Sequence, residues 1–343
     1  MALAAGLGIG RFVYTPILPA MLDALQLSAA SAGFIASANF AGYLVGALLA
    51  ASPRIPGSKR KWLIVALAMN AAAMGMMGLS TSLAVFVLLR LIGGVVSAFI
   101  LVFASVVVLG HPSNAGRSNL PALHFAGVGI GIAVSAAALA VVSQLAAAWS
   151  TMWFVSAALS LLALAIFCVV VPFDDAPRKF PLTIVTNAPS SSQLEVLITA
   201  YGLFGFGYVI TATFLVTIVR SAPETARLEP YVWIIFGLSA APSVILWVWA
   251  GDTFGLVKAF AMACFVEAFG VAASVTTASK ASIVIAAISL GGTFMGLTVP
   301  WYHGCPRSSW RRSAPKNWND DRRLRLRTDC RADVRRIPPR PVR

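Results

Sequence analysis

Three charged side chains stand deep inside apolar stretches of this chain: Arg11, Arg90 and Glu267. A charge at mid-span costs about 2.5–3.5 kcal/mol on insertion scales, so such a residue faces a polar cavity or a partner rather than lipid. Arg11 has Gly8 and Gly10 before it and Pro16 and Pro19 after it. The glycines leave room for close approach, and the prolines interrupt the backbone ladder and free polar backbone groups toward a cavity. The side chain could meet an anion or carboxylate of a solute. It could equally be a buried structural arginine bound to helix-end carbonyls. Arg90 lies near the start of its stretch and could turn inward or reach back to the interface along its own methylenes. Glu267, the only acid at such depth, is a candidate proton carrier or else a partner for a helical hydroxyl. Tyr14, Asn39, His124, Tyr201, Tyr208, Thr211 and Thr213 could line a pathway. His124 would bring an imidazole that titrates near neutral pH. The alternative for each of these polar groups is a hydrogen bond that holds helices together.

The elements that must position them are ten apolar stretches, expected as helices over roughly 2–22, 30–51, 62–80, 84–109, 120–142, 151–171, 194–219, 230–250, 257–276 and 281–300. Spans of about 20 apolar residues match a ~30 Å hydrocarbon core. The chain is 59% hydrophobic and 11% charged, with a mean hydropathy of +0.83. A soluble domain could not cover that surface with polar groups. Met1 opens directly into an apolar stretch that continues in membrane style, so no separate signal peptide is expected, and since no basic start precedes that span a few residues of leader could be missing. The four cysteines form no CxxC pair, which supports neither a disulfide framework nor a metal site.

The second five stretches echo the first five. Gly8-Ile9-Gly10-Arg11 is answered by Gly205-Phe206-Gly207-Tyr208 at an offset of 197, and Gly93-Gly94 by Gly291-Gly292 at 198. Two matched halves in a bilayer are the signature of a secondary transporter, with its solute site between the halves. The longest link, 172–193, carries Pro172, Asp174, Asp175, Pro177, Arg178, Lys179, Pro181 and Pro189, and falls between the halves as a cytoplasmic linker. Arg54, Lys59, Arg60, Lys61, Arg117, Arg178, Lys179 and Lys258 fall on one side if helices alternate. Asp23, Arg220, Glu224, Arg227, Glu229 and Lys280 make a mixed set on the other. The excess of cations places the first side, the N-terminus and the tail in the cytoplasm.

With these residues the chain resembles the major facilitator superfamily, and within it the YbfB/YjiJ-type branch. The resemblance rests on Gly10-Arg11-Phe12-Val13-Tyr14-Thr15-Pro16, on Ser37-Ala38-Asn39-Phe40-Ala41-Gly42-Tyr43, on His124 to Gly129, and on Gly292 to Gly296. It covers essentially residues 1–298. It implies an all-α integral membrane fold of two pseudo-symmetric bundles, with ten of twelve helices present. The first bundle is expected over 1–171 with six helices, and a truncated four-helix bundle over 194–300. Arg90 with Gly94 is similar to the Arg-x-x-x-Gly pattern often tied to proton coupling. Arg54, Gly57, Lys59, Arg60 and Lys61 match the basic part of the loop between helices 2 and 3, but Pro53 stands about where an acid is usual. Helix 5 lacks the proline of the exporter signature, so direction stays open. Gly42 and Gly46, four apart, suit close helix packing.

After Trp301 the composition breaks. Residues 301–343 hold 13 of the 26 Lys/Arg and nine of the net +14 charges, with arginine outnumbering lysine 12 to 1. This tail is expected to be disordered or to reflect a frameshift near codons 298–300. A genuine basic tail would instead bind anionic lipid. The expectation is a secondary active transporter of a small organic solute, working by alternating access with proton coupling through Glu267 or His124. Its expected setting is the inner membrane, as a multi-pass monomer in contact with lipid, with no cofactor, no enzyme motif and no specific nucleic-acid partner. The two alternatives are a non-functional truncated membrane protein and a membrane tether with a lipid-binding tail.

Overall fold

The computed structural model describes residues 1–52, 55–109, 120–171, 191–276 and 279–295. Linker residues 172–190, the tail, Pro53, Arg54, Arg117, Arg178, Lys179 and the last turn expected of helix 10 lie outside the described residues. Within them the chain folds as ten α-helices: α1 (Tyr14–Leu25), α2 (Ala29–Ala50), α3 (Lys59–Met77), α4 (Leu83–Leu109), α5 (Leu120–Gln144), α6 (Trp149–Val170), α7 (Ser191–Ser221), α8 (Glu229–Phe254), α9 (Leu256–Thr276) and α10 (Lys280–Phe294). Eight helices among the described residues are long and apolar enough to cross a membrane, the first formed by α1 together with the turn before it.

Among the boundaries that differ from the sequence expectation, two move linker or loop residues into helices. The seventh helix begins at Ser191, inside the segment expected as linker, and the third begins at Lys59, so three cations expected in a loop open a helix instead. Arg60 explains the second shift. Its guanidinium reaches the C-terminal end of α6 and donates to the Val171 carbonyl at 2.7 Å. A cation there complements the partial negative charge of the helix end.

The first span is broken. Ala4–Ile9 is π-helical, residues 10–13 form turns, and α1 starts only at Tyr14. The Gly10 and Phe12 amides reach back five residues, to the Ala5 and Leu7 carbonyls, at 2.9 and 3.2 Å. Pro16 has no amide to offer the Phe12 carbonyl, which accepts instead from the Thr15 amide at 3.4 Å. Ser28 and Ser279 cap α2 and α10 by accepting from Ser31 and Ser282, each at 3.1 Å.

The repeat governs packing as well as sequence. α3 and α9 start 197 positions apart, and so do α4 and α10. A methyl group added at Gly94 would overlap the Asn39 carbonyl, and one at Gly291 would overlap the Phe236 carbonyl. Each member of the second pair lies 197 positions after its counterpart. The glycine register is therefore 94 with 291, correcting the 198 read from the double glycines. Gly42 and Gly46 pack in the same way against the backbone of Leu91 and Val95. Lipid gives helices no apolar driving force toward each other, so such close backbone approach supplies the association. Gly94→Leu is therefore expected to separate α2 from α4 and lower stability by about 1–3 kcal/mol. The check is a lowered midpoint of thermal unfolding in detergent.

The halves meet along two lines. α5 packs on α8, with Gly129 against Ala240 and Ala241 and Gly237 against Ala133. α1 meets α7 at its own repeat counterparts: Thr15 Oγ1 donates to the Ala212 carbonyl at 3.4 Å, and Asp23 pairs with Arg220, both 197 apart. Residues that touch their own equivalents lie on the pseudo-two-fold axis relating the halves.

Candidate functional site

Arg11 emerges from the break in the first span and is enclosed by rings. Its guanidinium carbon lies 4.1 Å from the Tyr43 ring centroid, 4.6 Å from that of Phe40 and 5.6 Å from that of Phe12. Cations are attracted to ring faces at such distances. Arg11 Nε is buried without a hydrogen-bond partner. Among the described residues the ion pairs are those of Arg220, and no carboxylate pairs with Arg11.

Arg90 meets the other reading that the sequence left open for Arg11. It is 6% exposed and points inward. Its guanidinium donates to the Gly10 carbonyl at 3.2 Å and the Arg11 carbonyl at 3.1 Å, in the break itself. Its chain also crosses the Tyr14 ring, 5.0 Å from the centroid. Asn39 Nδ2 donates to the Arg90 carbonyl at 3.0 Å, and the Tyr14 hydroxyl donates to the Ala32 carbonyl at 3.0 Å. The Arg-x-x-x-Gly pair thus has a physical division of labour. Arg90 ties α4 to the broken helix, and Gly94 lets α2 come close enough to be part of the joint. Arg90→Ala would leave both carbonyls without this donor in a water-poor interior. Each hydrogen bond to a charged group contributes about 1.5–3 kcal/mol. The variant is expected to unfold at markedly lower temperature in detergent, whereas Arg90→Lys should retain part of the stability.

A small cleft opens beside Arg11, with a free volume of about 20 Å³. Arg11, Tyr14, Asn39, Phe40, Tyr208 and Thr213 are among the residues that line it. It lies between the first, second and seventh helices, on the axis where α1 meets α7. The Tyr208 hydroxyl and Asn39 Oδ1 are buried without partners. The cleft therefore presents a guanidinium and a hydroxyl as donors and an amide oxygen as acceptor. Tyr208 is also stacked on Phe294 of α10, with centroids 5.2 Å apart.

Five sequence candidates, Arg11, Tyr14, Asn39, Tyr208 and Thr213, come together here. Three others are placed elsewhere. His124 is held by Ser105, with Nε2 and Oγ 3.3 Å apart, at the end of α5 nearest the first residues of the chain. Thr211 turns its hydroxyl back to the Gly207 carbonyl at 3.3 Å, and is not among the lining. Thr213 does line the cleft, though its hydroxyl donates to Val209 at 2.7 Å. Tyr201 stacks on Phe204 and Phe260, away from Arg11. Phe40 and Tyr43, the walls around Arg11, had no assigned role in the sequence reading.

Glu267 is 4% exposed, and its Oε2 is buried without a partner. It approaches α7 beside Gly207, with Oε1 in ordinary contact with the position a side chain there would take, and lies within electrostatic reach of Tyr208. The repeat gives this arrangement a counterpart. Asn70 sits 197 positions earlier and packs against Gly10, itself 197 before Gly207. Asn70 Nδ2 donates to the Ala5 carbonyl at 3.3 Å. The first half thus uses a neutral donor where the second half has a carboxyl, which can donate only when it carries a proton.

The sequence family described as "Uncharacterised MFS-type transporter YbfB" matches residues 3–307. The chain is 28% identical over 222 residues to the uncharacterized MFS-type transporter YceJ of Bacillus subtilis (strain 168), covering 62% of this chain and 55% of that one. It spans about half the length of that curated relative. Among solved structures, a mutant form of the nucleoside transporter NupG superposes with a TM-score of 0.64 at 16% identity, over 87% of this chain and 81% of that one. A bacterial homologue of the human lysosomal transporter Spinster, in an inward-facing occupied state, gives 0.61 at 16% identity over 90% and 74%. A D-xylose–proton symporter gives 0.60 at 17% identity over 88% and 80%. At such identities these likenesses show the fold, an all-helical major facilitator architecture, and the sequence match supplies the family. The chain belongs to the YbfB-type family of major facilitator superfamily transporters.

Proposed function

We propose that this chain is a secondary transporter that carries a small anionic organic solute across the inner membrane by alternating access, with a proton as the coupling ion. The observation that carries the reading is Arg11, a cation without an acid partner among the described residues, facing a cleft where the two halves meet. A charge in that setting is costly unless something pairs with it, and a solute carboxylate is the pairing group that can come and go. Glu267 is the proton site of this reading. Protonated, it offers the same kind of donor as Asn70 does in the other half; ionised, its buried Oε2 has no partner. The D-xylose symporter of like fold is by its description proton-coupled.

The reading places the N-terminus and residues 301–343 in the cytoplasm, from the loop cations, and takes the monomer as the working unit. Asp23, Arg220 and Glu229 then form a latch at the outer end of the axis. Arg220 bonds Asp23 of the first half and Glu229 of α8, the latter at 3.2 Å. Exposed pairs of this kind contribute little energy each, about 0–1 kcal/mol. That suits a contact that must break whenever the halves part on this side. Cross-linking Asp23→Cys to Arg220→Cys with a short bismaleimide is expected to abolish uptake, and the uncross-linked pair should still transport. Transport by the cross-linked protein would remove the latch from the mechanism.

The experiment for the function itself is counterflow in proteoliposomes. Vesicles loaded with each member of a panel of small unlabelled carboxylates are offered the labelled acid outside. Transient accumulation of at least one acid supports the reading. A panel of anions and neutral sugars in which only neutral solutes accumulate contradicts it.

A further inference from the structure

We infer that the solute is a planar aromatic monocarboxylate, held by its carboxylate at Arg11 and Tyr208 and by its ring among the aromatic walls of the cleft. This rests on the transporter reading above and narrows its substrate class. Two observations carry it. The first is the polar set. Arg11 Nε and the Tyr208 hydroxyl are both buried, both donors and both without partners, and both residues line the one cleft. They lie at repeat-equivalent positions, 11 and 208, so they face each other across the axis. Two unpartnered donors in one cleft suit the two oxygens of a single carboxylate. The cleft carries one cationic group, which argues for one anionic group on the solute.

The second is the apolar set. Phe40 and Tyr43 present ring faces within 4.6 Å of the Arg11 guanidinium, and Tyr208 presents a ring already stacked in parallel with Phe294. Phe12, Tyr14, Phe40 and Tyr208 line the cleft itself, so the substituent of a carboxylate drawn to Arg11 meets aromatic side chains there. Offset-stacked and edge-to-face pairs are worth more than their area alone, and a saturated ring cannot make them.

The test is equilibrium dialysis of the purified full chain in detergent, with labelled benzoate as probe and unlabelled acids as competitors. Cyclohexanecarboxylate has the same carboxylate and carbon count without a π face, and butyrate has neither ring nor bulk. The inference expects benzoate to be displaced by cyclohexanecarboxylate only at about tenfold or higher concentration than by benzoate itself. Phe40→Leu is expected to weaken benzoate about fivefold and cyclohexanecarboxylate by less, while Phe40→Tyr restores benzoate binding. The tyrosine variant keeps the ring, so it separates a lost contact from a damaged fold. Equal displacement by both cyclic acids, or preference for butyrate, overturns the aromatic class and leaves the carboxylate transporter standing. Failure of every carboxylate to bind, with the protein monodisperse and folded, overturns both.

Discussion

Replacing Arg11 with glutamine is expected to abolish anion uptake while leaving the protein folded. The expectation follows from what the two buried arginines touch. Arg90 is bound to backbone carbonyls, and its loss removes donors from the broken helix. Arg11 is bound to ring faces, with Nε unpartnered. A glutamine can lie among the same rings without the charge. Losing one partner of a desolvated charge pair costs about 2–5 kcal/mol, so solute affinity should fall about thirtyfold or more. The unfolding midpoint in detergent should move little, in contrast to Arg90→Ala. Uptake that survives in Arg11→Gln would remove this residue from the solute site. A collapse of stability equal to that of Arg90→Ala would make it structural.

Glu267→Gln is expected to separate exchange from accumulation. Glutamine reproduces the neutral donor that Asn70 supplies in the first half, so the packing beside Gly207 is kept. Counterflow of the solute, which needs no net proton movement, should persist. Accumulation driven by a pH gradient should vanish. For a monoanion carried with one proton, each unit of pH difference sustains about a tenfold concentration ratio, since one unit is worth 1.36 kcal/mol. The wild-type protein is expected to approach that ratio and the variant to stay near unity. The groups facing Glu267 in electrostatic reach are Tyr208 and Cys264, neither of which offers an acid to replace it. A variant that still accumulates solute would exclude Glu267 as the coupling group.

The fold was legible because bilayer thickness and helix rise together leave few readings for ten apolar runs of about 20 residues. The repeat was legible because the pairs Gly8 and Gly10, Gly205 and Gly207 recur at a fixed offset, although only Gly8 of the four meets another backbone closely. The break in the first span was legible only as a tendency of Pro16 and Pro19. The contact that holds it, Arg90 donating to the Gly10 and Arg11 carbonyls from about eighty residues away, left no mark in the local sequence. Arg11 and Tyr208 could be nominated by depth and repeat position, but Phe40 and Tyr43 could not. In a helix apolar on every side, no amphipathic period says which ring turns inward. For the same reason nothing in the sequence distinguished Asn39, which lines the cleft, from His124, which bonds Ser105. A signal for Glu267 did exist. Carrying the 197-residue offset through the whole chain pairs it with Asn70, and only a carboxyl opposite an amide marks that pair as unlike.

The most direct test is accessibility of the cleft from the two sides of the membrane. Thr213→Cys places a thiol in its wall, in a chain whose four native cysteines, Cys168, Cys264, Cys305 and Cys330, are replaced by serine. A membrane-impermeant methanethiosulfonate reagent is then applied to oriented vesicles, from outside and from inside in separate experiments. The account predicts labelling from either side and protection by saturating solute in both cases. It also predicts loss of labelling from the outer side when Asp23→Cys and Arg220→Cys are cross-linked. Labelling from one side only, unaffected by solute or cross-link, would contradict a solute site reached in turn from both faces.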